Sequence, residues 1–140
     1  MTDHTILRVV SKLLLPYVLL FALYVQFHGD YGPGGGFQAG VIFAAGFVLY
    51  GLIFGLTAVR RVAPARMIEL VIATGVLVYA GTGVVTMLMG GNFLDYDALN
   101  PAYAADGQHY GILVVELGVG MTVAAVMIAV YSTFAGRGRA

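Results

Sequence analysis

Residues 28–40 read HGDYGPGGGFQAG, from His28 to Gly40, and stand between two uncharged apolar stretches. Gly34, Gly35 and Gly36 directly follow Pro33. Such a run is no ordinary piece of transmembrane helix. Glycine costs about 1 kcal/mol per helix position relative to alanine, and the residue before a proline is pushed out of the α region. The backbone must break here, between a first apolar helix and a second that starts near Phe37. A phosphate-binding loop is a poor reading of the glycines, because no strand precedes them and no Lys-Ser/Thr pair follows. Their place before a helix does supply unpaired N–H groups that could hold an anion or a carboxylate. A tight non-helical turn, satisfied by neighbouring protein or water, is the simpler account.

The rest of the chain is a membrane protein by composition. Of 140 residues, 60% are hydrophobic and 10% charged, against roughly 45–50% and about 25% in soluble domains. Seven basic residues balance seven acidic ones, with no basic tract of the kind that binds nucleic acid. There is no cysteine, which removes disulfides and thiolate metal sites.

Four apolar blocks, residues 13–27, 37–59, 68–89 and 111–134, compare with the roughly 20 residues needed to span a bilayer. The first is short, so its helix is expected to begin earlier, with Arg8 and Lys12 snorkelling to the interface. No small-residue cleavage site follows it, and it reads as a retained helix. The expected fold is all-α, a single domain over residues 1–140 with four transmembrane helices at approximately 7–27, 37–59, 67–89 and 110–134. The short arginine-bearing connection makes the second and third helices expected antiparallel neighbours.

Charge sorts the connections. Arg8 and Lys12 precede the first helix, Arg60, Arg61 and Arg66 occupy the second connection, and Arg137 and Arg139 follow the last helix. Asp30, Asp95, Asp97 and Asp106 lie in the first and third connections, which carry no Lys or Arg. The positive-inside rule then places both termini in the cytoplasm and the acidic connections outside. The long connection of residues 90–110 is expected to lie as a lid over the outer helix ends.

Three features could carry function. Gly40, Ala44, Gly51 and Gly55 fall on one face of the second helix, a small-residue stripe suited to close helix packing, within the chain or against another subunit. Glu116 lies inside the fourth apolar block, where a carboxyl is costly and marks a functional hypothesis. His109 precedes it by seven positions and shares its face, with Gly120 one turn deeper. Glu116 reads either as a proton-relay or ion-path group or as a structural carboxyl. The outer His28, His109, Asp30, Asp95, Asp97 and Asp106 have no spacing of a metal-ligand motif, and an acidic surface attracting cations is the better reading. No cofactor is expected.

These segments together resemble a known family. HGDYGPGGGFQAGVIFAAG (28–46), GNFLDY (91–96) and GILVVELGVGMTVAAVMI (111–128) are similar to the B subunit of the multisubunit Mrp (Mnh) sodium/proton antiporters. The likeness covers nearly the whole chain. It implies a four-helix subunit of the cell membrane with both ends cytoplasmic, working beside large antiporter-like subunits and other small membrane subunits. The transported ions would be Na+ and H+, in the service of pH and sodium homeostasis. His28, Asp30, Pro33, Gly34, Gly35, Gly36 and Phe37 are the family's outer glycine-rich signature under this resemblance. No lysine lies inside an apolar block, so the lysine half of such a proton pathway would belong to other subunits. The resemblance implies an accessory, non-enzymatic role, with the homologous subunit of an ion-translocating redox complex such as a membrane-bound hydrogenase as the alternative. A self-sufficient channel or scaffold is a third reading.

Overall fold

The computed structural model describes residues 5–29, 31, 34–100 and 102–137. Asp30 and Pro33, like His4, Pro101 and Arg139, lie outside the described residues. The chain forms α1 (Thr5–His28), α2 (Gly36–Phe54), a short α3 (Leu56–Val62), α4 (Ala65–Leu88), a 3-10 turn (Tyr96–Leu99) and α5 (Ala104–Arg137). No strand occurs among the described residues. Helices α1, α2, α4 and α5 are each long and apolar enough to cross a membrane.

The four long helices pack as a row. α1 lies against α2, α2 against α5, and α5 against α4. The expected pairing of the second and third helices is therefore corrected, because α5 is inserted between α2 and α4. The short connection does not force them together. It is lengthened by α3, which follows a break at Gly55 (φ 89°) and ends at Ala63 before α4 begins. A helix expected to run to residue 59 thus stops at Phe54. Val59 and Ala63, both buried, pack this end of the row in a core with Ala44, Ile68, Ala125 and Ile128, and Leu56 is buried as well.

α5 is the central helix, and glycine on opposite sides lets it be central. A Cβ on Gly75 of α4 would stand 2.7 Å from the Gly118 carbonyl oxygen, and one on Gly118 would stand 2.8 Å from that of Gly75. On the α2 side, a Cβ on Gly40 would meet the Gly120 carbonyl at 2.7 Å and Val123 Cβ at 2.9 Å. Such approaches are how membrane helices gain packing energy when lipid is as apolar as their own side chains.

α5 also starts earlier than hydropathy suggests, at Ala104 instead of near residue 110. Its first turns are polar, but Gly107 and Gly111 give them a docking face for Tyr96, whose ring lies against Gly111 and whose carbonyl lies against Gly107. The connection between α4 and α5 is pinned to α4 by Thr86, which is fully buried. Its hydroxyl lies within hydrogen-bond distance of the carbonyls of Gly83 (2.9 Å) and Asn92 (3.0 Å) and accepts the Leu94 N–H (3.0 Å). Leu94 adopts a positive φ of 61° to make that bond.

The charges separate to the two ends. The Arg8 guanidinium and Lys12 ammonium lie 5.7 and 5.5 Å from the centroid of Phe54, at the end of α2, and Arg60 lies beside Gly136 near the end of α5. Asp95, Asp97 and Asp106 belong to the opposite end, in and beside the 3-10 turn.

Candidate functional site

The glycine-rich segment and Glu116, far apart in sequence, meet. Oε2 of Glu116 lies 2.5 Å from where a Cβ on Gly29 would stand, and Oε1 lies 2.6 Å from the corresponding point on Gly35. A Cβ on Gly36 would collide with the backbone carbonyl of Glu116 itself. Across the turn, Gly29 and Gly35 also face each other, with 2.8 Å between the Cβ position of one and the Cα of the other. The glycines are needed for two separate reasons. Gly35 has φ 129°, a conformation L side chains rarely adopt, while Gly29 and Gly36 leave no room for a side chain. Gly34 packs back on α1, its Cβ position 3.3 Å from Val25.

The turn lies deep. Glu116 is twelve residues into α5, about 18 Å from the start of that helix by helical rise. It is about five residues below the start of the apolar block at Gly111, or roughly 8 Å. α2 begins at the Glu116 level, with Gly36 against the Glu116 backbone, and a helix N-terminus favours a negative charge nearby. Irregular backbone at such depth is tolerated only against protein or water.

Above the turn runs a line of rings. His28 stacks on Tyr24 with centroids 5.1 Å apart, Tyr31 lies 6.4 Å from His28, and His109 lies 6.0 Å from Tyr31 and 5.7 Å from Tyr110. His28 and His109 are thus linked through one tyrosine. His109 precedes Glu116 by two turns on α5.

Farther out, Tyr96 closes the same side. Burial, followed by the charges of Tyr79 and Glu116, raises its phenol above the ordinary value of 10.0.

The other named residues divide. Gly40, Ala44 and Gly51 are buried, with Gly40 against α5 and Gly51 beneath the Tyr131 ring. Gly55 leaves this group: nothing lies within 4 Å of its Cβ position, and its role is the helix break. Phe37 is exposed at the start of α2. Sequence reading passed over Gly29, which completes the floor of the turn, and Gly75 and Gly118, which set the α4–α5 crossing. Gly118 stands two residues from Gly120, a spacing that puts glycine on opposite helix faces and signals a helix packed on both sides.

Comparison with known proteins agrees over nearly the whole chain. Residues 6–129 match the family described as a domain related to the MnhB subunit of Na+/H+ antiporter. A protein of Staphylococcus epidermidis RP62A named as antiporter subunit mnhB2 is 32% identical over 136 residues, covering 96% of both chains. The protein of that name in Staphylococcus aureus Newman is 34% identical over 136 residues, again covering 96% of each.

Proposed function

The chain belongs to the family of MnhB-related subunits of Na+/H+ antiporters, and from that membership we propose that its Glu116 site takes part in the outer half of the complex's ion path. The protein is a multi-pass subunit of the cell membrane serving cation/proton exchange. Antiporter relatives favour this setting over a hydrogenase-type complex.

The observation that carries the proposal is the meeting of Glu116 with Gly29 and Gly35. A carboxyl placed there is expensive unless its surroundings are arranged for it. Here the start of α2 offers a positive dipole end, and His28, Tyr31 and His109 lead outward from it. A carboxyl with that neighbourhood can exchange a proton for a cation without becoming an isolated buried charge. The lysine-bearing part of the proton route belongs, in this reading, to large antiporter-like subunits beside this one, since the one lysine here, Lys12, lies in the first turns of α1 by Phe54, away from Glu116.

The acidic end faces outward and both termini face the cytoplasm in this reading, because the basic residues gather at the opposite end. Cysteine introduced as Asp97→Cys in this cysteine-free chain is then labelled by an impermeant maleimide from outside intact cells, and Arg61→Cys is not. The reverse pattern refutes the orientation. For the site, Glu116→Gln is expected to lower exchange in inverted vesicles with the complex still assembled, whereas loss of assembly would make Glu116 structural.

A further inference from the structure

At the basic end of the row, a half-open cleft of about 250 Å³ lies between α3, α4 and α5. Its floor is apolar, with Ala63 and Ile68 buried. Its rim carries opposite charges: Arg60 from the last turn of α3 and Glu69 from the second turn of α4, both exposed. No ion pair joins them to each other or to another described residue. From α5, Ser132 lines the same cleft, and its Oγ is buried with no hydrogen-bond partner among the described residues. The fold thus leaves a cation, an anion and a hydroxyl donor around one cleft.

The depth is that of lipid headgroups. α4 has 24 residues, or about 36 Å by helical rise, which exceeds a hydrocarbon core of about 30 Å and carries its first turns into the headgroup region. The charges then restrict the occupant. A purely anionic headgroup would suit Arg60 but meet the Glu69 carboxylate. A choline headgroup carries both charges, but its quaternary nitrogen has no N–H to donate. A single side chain of a neighbouring protein would answer one charge and leave the other. A phosphoethanolamine headgroup answers both, since its phosphate accepts from a guanidinium and its ammonium donates to a carboxylate. The cleft is smaller than the roughly 300–1,000 Å³ of sites that enclose a drug-sized ligand, so it suits a headgroup, with the acyl chains passing along the helices beyond Ile72.

We propose that this cleft binds the headgroup of a membrane phospholipid bearing a primary amine, with its phosphate on Arg60 and its ammonium on Glu69. A phosphate or ester oxygen accepts the Ser132 hydroxyl, which satisfies the donor the fold leaves over. The site is independent of the Glu116 path and needs only that the chain spans a membrane.

The test uses the assembled complex in vesicles of fixed bulk composition, doped with a trace of photoreactive lipid. The lipid carries one diazirine acyl chain, close to the glycerol, under an ethanolamine, choline or glycerol phosphate headgroup. Adducts on this chain are mapped by mass spectrometry to residues 65–72 and 129–133. The ethanolamine lipid is expected to label these segments about threefold or more above the other two. Glu69→Gln is expected to abolish its preference over the choline lipid, Glu69→Asp to keep part of it, and Arg60→Gln to lower labelling by the ethanolamine lipid. Equal labelling by the three lipids, strongest labelling by the glycerol lipid, an unchanged preference in Glu69→Gln, or no adduct in these segments would each overturn the proposal. Should Glu69→Gln fail to assemble, Arg60→Gln decides, and undiminished ethanolamine labelling in that variant overturns the proposal.

Discussion

The carboxylate of Glu116 lies 2.6 Å from the point at which Gly35 would carry a Cβ, so a helix residue and a turn residue 81 positions apart form one surface. The glycine-rich segment is shaped around that carboxyl as much as around its own change of direction. Substitutions in the turn and at Glu116 should therefore be coupled.

Gly36→Ala is expected to be the most damaging small change in the turn. Its methyl would meet the Glu116 carbonyl, part of a helix backbone that cannot swing aside. Overpacking of this kind costs about 1–3 kcal/mol. Gly34→Ala should cost less, since its closest neighbours are 3.3 Å away and one is a side-chain methyl. Thermal unfolding of the purified complex ranks the two, and equal stability of both variants would show that the turn is looser than described.

A second contrast separates two glycines of α4. Gly75→Ala pushes against the backbone of α5 at Gly118, while Gly81→Ala meets nothing within 4 Å. The first should lower the melting temperature. The second should leave it unchanged or raise it, since alanine favours a helix over glycine by about 1 kcal/mol. Melting curves of the two variants beside wild type check the order, and a stabilising Gly75→Ala would contradict the proposed crossing.

Alkaline titration reports on the lid. Burial first, then Tyr79 and Glu116, raise the Tyr96 phenol above 10.0 in the folded chain. The fold thus favours the neutral phenol, and its contribution to stability is intact below pH about 10 and is lost as pH rises through the higher folded value. Phenolate absorbance should show a late-titrating component that vanishes in Tyr96→Phe. Removal of an early component instead would mean that Tyr96 stands in solvent.

Much of this architecture was legible from residue order because its causes are local. Apolar length marks the spans, and a proline followed by three glycines marks the break before α2. What escaped were features set by a partner in space. Gly55 lies in register with Gly40 and Gly51, and only its positive φ reveals a break and not a packing position. The insertion of α5 between α2 and α4 depends on glycine contacts from two different helices, and α3 supplies the slack that a short connection conceals. Glu116 was conspicuous by its cost, but its contact with Gly29 joins residues too distant for any periodicity to connect.

The most direct measurement is cation-dependent proton exchange in inverted membrane vesicles carrying the whole complex, with wild type, Glu116→Gln and Glu116→Asp compared at equal amounts of assembled complex. The account expects exchange to fall to background in Glu116→Gln and to be partly retained in Glu116→Asp, which keeps an ionisable carboxyl near the turn. Wild-type exchange in a fully assembled Glu116→Gln complex would contradict it.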